Sequence, residues 1–206
     1  IAFSSCSHQG IVLENDHFKY AISTNGTNLE FVDKATDKDY LDTETDSKCA
    51  YILVDGQSHD VTSLSLVKDQ LKMRFGDTGV EVDIRVSESN DRITLKVASV
   101  SGAIESLVFL NVPLKLEGQP YEPFAACALS MNLFTHVRQL PPLQTNLWAK
   151  CYTKFGIVGA EVTLLGLPQQ ELLPVIRDVI TNAKDIPFSD AGGAWALTKK
   201  EGYGSY

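Results

Sequence analysis

His17-Phe-Lys-Tyr-Ala-Ile-Ser23, then Asn25-Gly26, then Asn28-Leu-Glu-Phe-Val32: two alternating runs flank a turn dipeptide. Asn-Gly between such runs is a strong hairpin signal, because a type I′ turn needs positive φ at both central positions. The same punctuation recurs downstream. Runs at 50–54, 61–67, 70–75, 80–86 and 92–98 are each bounded by Gly, Asp, Asn or Ser. Val80-Glu-Val-Asp-Ile-Arg-Val86 alternates strictly, and Ile93, Leu95 and Val97 repeat the pattern in the next run. Glu81, Asp83 and Arg85 therefore read as the solvent face of a sheet.

From Ile104 to Leu116 the chain is more continuously apolar, as in a strand covered on both faces. Phe124 to Leu133 behaves similarly, and Gly159 to Leu165 is a further strand candidate. About ten or more short strands without a repeated period predict an antiparallel sandwich rather than a propeller or solenoid. One helix is expected near the end, where Leu172, Val175, Ile176, Val179, Ile180 and Ala183 share a face. Pro168 suits its first turn, whereas Pro174 either kinks the helix or begins it.

The 206 residues are enough for one all-β domain with a substantial core. At 44% hydrophobic and 21% charged, the composition excludes global disorder. The net charge is −8 and the Lys and Arg residues are scattered, so nucleic acid is not an expected partner. No apolar run approaches the ~20 residues of a membrane-spanning helix, so no transmembrane segment is expected.

The first residue is Ile1, and Ile-Ala-Phe-Ser-Ser-Cys6 resembles the tail of a bacterial lipoprotein signal, with Cys6 as the lipidated residue. An ordinary leader remnant or first strand is the alternative. The expectation is an exported protein, either a periplasmic or outer-membrane lipoprotein or a secreted one. Gly202-Tyr-Gly-Ser-Tyr206 reads as a cut, with another domain following.

Cys6, Cys49, Cys127 and Cys151 show no CxxC spacing and no nearby His, so neither a zinc site nor a cofactor is expected. Buried free thiols are the simplest reading. His8, His17, His59 and His136 lack metal-ligand spacing. His136 would serve as a general acid if a carboxylate faced it across a cleft; a polar residue at a strand end is the simpler alternative. There is no Gly-x-Ser-x-Gly elbow and no phosphate loop. Asp33, Asp37, Asp39, Asp42, Glu44 and Asp46 lack calcium-loop spacing and read as a solvated hairpin and loop.

Trp148, Tyr152 and Trp195 are the candidate carbohydrate-binding residues, since sugar sites stack apolar ring faces on aromatics. If 146–154 is a strand, Trp148, Lys150 and Tyr152 lie on one face. Burial in the core or in a domain interface is the alternative for all three aromatics.

Ile11-Val-Leu-Glu-Asn15, the run 17–22 and Asn28-Leu-Glu-Phe-Val-Asp-Lys34-Ala-Thr-Asp37 resemble the opening of galactose-mutarotase-like β-supersandwich domains. In that family an Asp-Lys-x-Thr-Gly turn is common, and Asp37 stands at the glycine position. Phe155-Gly-Ile-Val-Gly-Ala160 through Pro168, the helix and Gly193-Ala-Trp195 resemble the end of such a domain, where it leads into a catalytic barrel. The resemblance implies a leader remnant or arm at 1–10, a supersandwich at 11–190 with one C-terminal helix, and an exit segment at 191–206. It further implies a non-catalytic N-terminal module of a bacterial glycoside hydrolase engaged in polysaccharide degradation. The partners would be a downstream catalytic domain and an oligo- or polysaccharide. The family's epimerases use a His acid and a Glu base in motifs that are absent here. Three functions follow in order: accessory module, stand-alone carbohydrate-binding module, and an epimerase or lyase using His136.

Overall fold

Strand β2 (Phe18–Ser23) pairs antiparallel with β3 (Asn28–Asp33), as the alternation requires. The computed structural model describes residues 10–44, 47–116, 121–138 and 145–183. Cys6, His8, Asp46, Trp195 and the exit segment 191–206 lie outside the described residues.

The turn between β2 and β3 departs from the two-residue form expected. The Ser23 N–H donates to the Thr27 carbonyl and the Gly26 N–H to the Ser23 carbonyl, both at 2.9 Å, so three residues span the strands. Gly26 has φ +84°, but Asn25 is not left-handed. Its side chain instead accepts from the Ser23 hydroxyl and from the Thr27 N–H, a local bond that competes with the type I′ backbone.

With β1 (Gly10–Glu14) and β4 (Lys38–Asp39) these strands form a four-stranded sheet in the order β1-β2-β3-β4. The remaining strands are β5 (Tyr51–Val54), β6 (Gln57–Val67), β7 (Gln70–Phe75), β8 (Glu81–Glu88) and β9 (Arg92–Ser101). They continue with β10 (Ser106–Leu114), β11 (Phe124–Ser130), β12 (His136–Val137), β13 (Thr145–Tyr152) and β14 (Glu161–Pro168). These ten form one sheet ordered β11-β14-β9-β8-β7-β6-β5-β10-β13-β12. The architecture is mainly antiparallel β, a sandwich of two sheets, with one C-terminal helix. Two ends differ from expectation for a visible reason: Gly159 takes φ +93° and delays β14, while the Ser130 hydroxyl bonds the Asn132 and Thr135 carbonyls and closes β11 early.

The sheets meet through aromatic rings. Phe18 stacks on Phe31 with centroids 5.0 Å apart, Phe31 reaches Phe124 at 6.4 Å, and Tyr40 stacks on Phe124 at 5.1 Å. Strand β14 passes beneath this cluster at Gly166, where a Cβ would lie 2.9 Å from both Phe124 Cζ and Phe18 Cδ1. Each buried ring of this kind contributes about 1.5–3 kcal/mol.

Strand β10 holds the predicted two-sided burial by means of a bulge. Its pairing with β13 skips a residue between Val108 and Leu110. The core-facing set shifts from Leu107 and Phe109 to Leu110, Val112 and Leu114, so the parity changes once along the strand. Strand β14 is likewise covered twice: Val162 and Leu164 face the sandwich, while Leu165 and Leu167 face α1 (Gln169–Asn182). Pro168 precedes the helix with extended backbone, φ −50° and ψ 134°, and Pro174 sits inside it. Val179 is the helix residue driven deepest, and Arg92 of β9 ties the helix down by bonding Asp178 at 3.0 Å. The same guanidinium holds the Asp91 carboxyl below its ordinary pKa.

The acidic cluster is less solvated than its composition indicated. Asp33 and Asp42 are buried. Asp33 accepts from the Ala35 N–H and the Thr36 hydroxyl, and Asp39 accepts from the Phe31 and Leu41 N–H groups. Asp33 thus caps the Asp33-Lys-Ala-Thr-Asp37 turn, while Asp39 caps backbone groups of β3 and of the segment after β4. Asp37 takes φ +57° in that turn, the conformation a glycine there would adopt freely.

Two substitutions test this backbone reading in opposite directions. A Cβ at Gly26 would lie 2.2 Å from Val61 Cγ1, on top of its left-handed φ. Gly26→Ala is therefore expected to lower unfolding free energy by about 2–5 kcal/mol, combining left-handed strain with overpacking. Asp37→Gly is expected to raise it by up to ~1 kcal/mol. Equilibrium denaturant titration measures both, and a neutral Gly26→Ala would show that the turn is built differently.

Candidate functional site

Strand β13 alternates cleanly. Leu147, Ala149 and Cys151 enter the core, which leaves Trp148, Lys150 and Tyr152 on the outer face, as their shared parity predicted. The edge strand β12 pairs with it so that His136 stands opposite Lys150 and Val137 opposite Ala149. On the inner side, Val108 of β10 sits opposite both Lys150 and Tyr51 of β5. Three strands thereby bring Tyr51, Trp148, Lys150 and His136 to one outer surface.

The geometry centres on Trp148. The Arg138 guanidinium lies 4.9 Å from the centroid of its ring, and the His136 ring meets it edge-on at 5.7 Å. Its indole N–H points to the Tyr51 hydroxyl at 3.4 Å. Trp148 is only 7% exposed, so its ring supports the groups around it and offers no open stacking face. Along the strand, Lys150 Nζ lies 4.6 Å from the Tyr152 ring centroid, and Tyr152 meets Phe155 edge-on at 6.2 Å. Lys154 Nζ completes the series 5.4 Å from the Phe155 ring. Tyr152 is half-buried and Phe155 is 63% exposed.

His136 is exposed, and among the described residues it forms no ion pair with a carboxylate. Its neighbour is an indole and its place is the first residue of a two-residue strand. Trp195 lies outside the described residues. Arg138, Tyr51, Lys154 and Phe155 were not singled out from sequence. Arg138 had a usable signal, since it shares parity with His136 two residues earlier. Tyr51 had none, because only the sheet order brings β5 near β13.

Elsewhere the chemistry is quiet. Cys49, Cys127 and Cys151 are free and buried, and burial pushes each thiol up to about 12. Among the described residues no group of three His, Cys, Asp or Glu side chains is placed to hold a metal ion. Among them, too, no helix is long and apolar enough to cross a membrane.

No protein-family model matches the chain, and no curated protein matches it in sequence. Among solved structures, it is similar to a GH31 family sulfoquinovosidase from E. rectale, in complex with an aza-sugar inhibitor. That match has 10% identity and a TM-score of 0.40, over 82% of this chain and 34% of that one. It is also similar to a galactose mutarotase related enzyme from Lactobacillus acidophilus, at 12% identity and a TM-score of 0.33, over 68% of this chain and 62% of that one. The chain thus spans about a third of the first protein's length and less than two thirds of the second's.

The thiols give a direct test of the buried chemistry. In the native protein Cys49, Cys127 and Cys151 are expected to resist Ellman's reagent at neutral pH and to react once the chain is denatured. Their folded pKa of about 12 lies above the ordinary 9.0, so the native state keeps protons that the unfolded chain releases. Their contribution to stability is thus complete below pH 9.0 and is lost as the pH rises toward 12. Thermal melts across that range are expected to show a falling Tm, with Cys151→Ser flattening the slope.

Proposed function

We propose that the chain is a non-catalytic β-sandwich module of an exported bacterial glycoside hydrolase, one that packs on a downstream catalytic domain and contributes to carbohydrate binding. One observation carries this reading. The outer face of β12 and β13, with Arg138 just after β12 and the turn just after β13, gathers an indole, a phenol and an exposed phenyl ring with hydrogen-bond donors from His136, Arg138, Lys150 and Lys154. Sugars are recognised by such mixtures, because their C–H faces pack on rings while their hydroxyls need donors and acceptors. The sequence resemblance to supersandwich domains that precede catalytic barrels supports the same assignment.

Within this reading the contact surface for the catalytic domain includes α1, where Leu172, Val175 and Ile176 are only half-covered and Leu173 is exposed. The boundaries are those of the resemblance: an arm at 1–10, the sandwich at 11–190 and an exit segment at 191–206, with export signalled by the segment ending at Cys6. His136 then acts as a donor to a bound glycan and not as an acid in a reaction.

The test separates binding from turnover. The isolated chain is expected to retain immobilised glycans in affinity electrophoresis while leaving aryl glycosides unhydrolysed. Tyr152→Ala and Phe155→Ala are each expected to weaken retention several-fold, in line with ~0.5–1.5 kcal/mol for a lost aromatic contact. Hydrolysis by the isolated chain, abolished by His136→Ala, would replace the module with an enzyme.

A further inference from the structure

We propose that the β12–β13 face binds an acidic oligosaccharide, with carboxylate or sulfate groups along its chain met by Arg138, Lys150 and Lys154. The inference rests on the carbohydrate-binding reading above and names its ligand class. Its basis is the alternation already measured: each of these cations is mounted on a ring, Arg138 on Trp148, Lys150 on Tyr152 and Lys154 on Phe155. His136 stands between the first two, opposite Lys150 in the strand register.

Lys38, Lys48, Lys68, Lys72 and Arg177 are also without an ion pair among the described residues, and Lys38 also lies over a ring, that of Tyr40 at 4.3 Å. It is the combination of two features in three neighbouring cations that marks this array. The first is charge. The chain has 26 Asp and Glu against 18 Lys and Arg, so carboxylates are the commoner neighbours. Elsewhere Lys19, Arg74, Arg92 and Lys96 all have an acid within 3.0 Å. Among the described residues none of Arg138, Lys150 and Lys154 forms an ion pair. An acidic ligand would supply the missing partners.

The second is pre-organisation. A ring beneath a cation attracts it and restricts a side chain that would otherwise be mobile. Less rotamer freedom is then lost when an anion arrives. A neutral sugar would take hydrogen bonds from these groups but no ion pairs. From Trp148 to Tyr152 the strand advances by about 13 Å, at ~3.3 Å per residue, which suits a chain with acid groups on successive units better than a single small anion. Interleaved rings and cations also serve proteins that bind single-stranded nucleic acid, but base stacking needs open ring faces. Here Trp148, the ring that carries Arg138, is buried and offers no face to a base.

The experiment is calorimetric titration of the full 206-residue chain with three oligosaccharides of equal length: a homo-oligouronate, a sulfated oligosaccharide and a neutral gluco-oligosaccharide. A single-stranded oligonucleotide serves as competitor. The acidic ligands are expected to bind at least tenfold more tightly than the neutral one and to weaken as salt is raised. Arg138→Gln and Lys150→Gln are each expected to cost about tenfold or more in affinity for the acidic ligands, while Lys72→Gln, on a distant part of the sheet, leaves it unchanged. Equal affinity for neutral and acidic ligands would overturn this inference and leave the carbohydrate-binding reading standing. Binding to no oligosaccharide, or displacement by the oligonucleotide at lower concentration than by any glycan, would overturn both.

Discussion

The fold depends on one close approach, that of the Phe18 and Phe124 rings to the bare backbone of Gly166. A sandwich is stable only if the inner faces of its sheets exclude water without voids or clashes. Here three rings fill the gap, and the strand opposite makes room by lacking a side chain at the point of contact. The arrangement fixes the lateral position of the small sheet. Sliding it along β14 would drive Phe18 against the side chain of Leu164.

A polar knot complements the rings at the other side of the small sheet. Asn28 is buried and spends its whole amide: Tyr20 donates to its oxygen at 2.5 Å, and its nitrogen donates to Ser47 and to the Asn111 carbonyl at 2.9 Å. Asn111 in turn donates to the Lys48 carbonyl at 2.8 Å. These bonds join β2 and β3 to β10, and so anchor the small sheet to the half of the large sheet that carries the candidate site. Burial pushes the Tyr20 phenol well above its ordinary pKa, so it remains a donor throughout the physiological range. A satisfied buried network of this kind specifies register more than it adds stability.

Strand existence was legible because alternation is a local signal; Gln70–Phe75 matches to the residue, and the start at Arg92 is correct. What escaped was set by side-chain competition or by distance in sequence. Asn25 could satisfy the β2–β3 turn with its amide, so the left-handed backbone that Asn-Gly favours was not needed. Asp33 and Asp42 looked solvated because charge usually is, yet caps bury carboxylates when backbone N–H groups surround them. The two-residue strands β4 and β12 are too short to show any period. In the candidate site, the common face of Trp148, Lys150 and Tyr152 followed from parity alone, whereas the approach of Arg138 and Tyr51 is a consequence of sheet order.

That order also explains why the basic, aromatic face lies where it does. The outer surface of the large sheet is divided into three parts. Helix α1 covers β11 and β14, and β6 to β8 carry opposite charges that pair across strands, such as Arg74 with Glu81 at 2.7 Å. At β13 and β12, by contrast, cations face rings: Arg138 lies over Trp148 and Lys150 over Tyr152. The bulge in β10 contributes to this. By flipping parity between Val108 and Leu110, it turns Asn111 and Pro113 outward beside Trp148 and Asn146 while Leu110 and Val112 stay in the core. A regular β10 would have forced a choice between burying its apolar residues on one side of that point and presenting polar ones on the other. The irregularity therefore lets one strand complete the core and border the site.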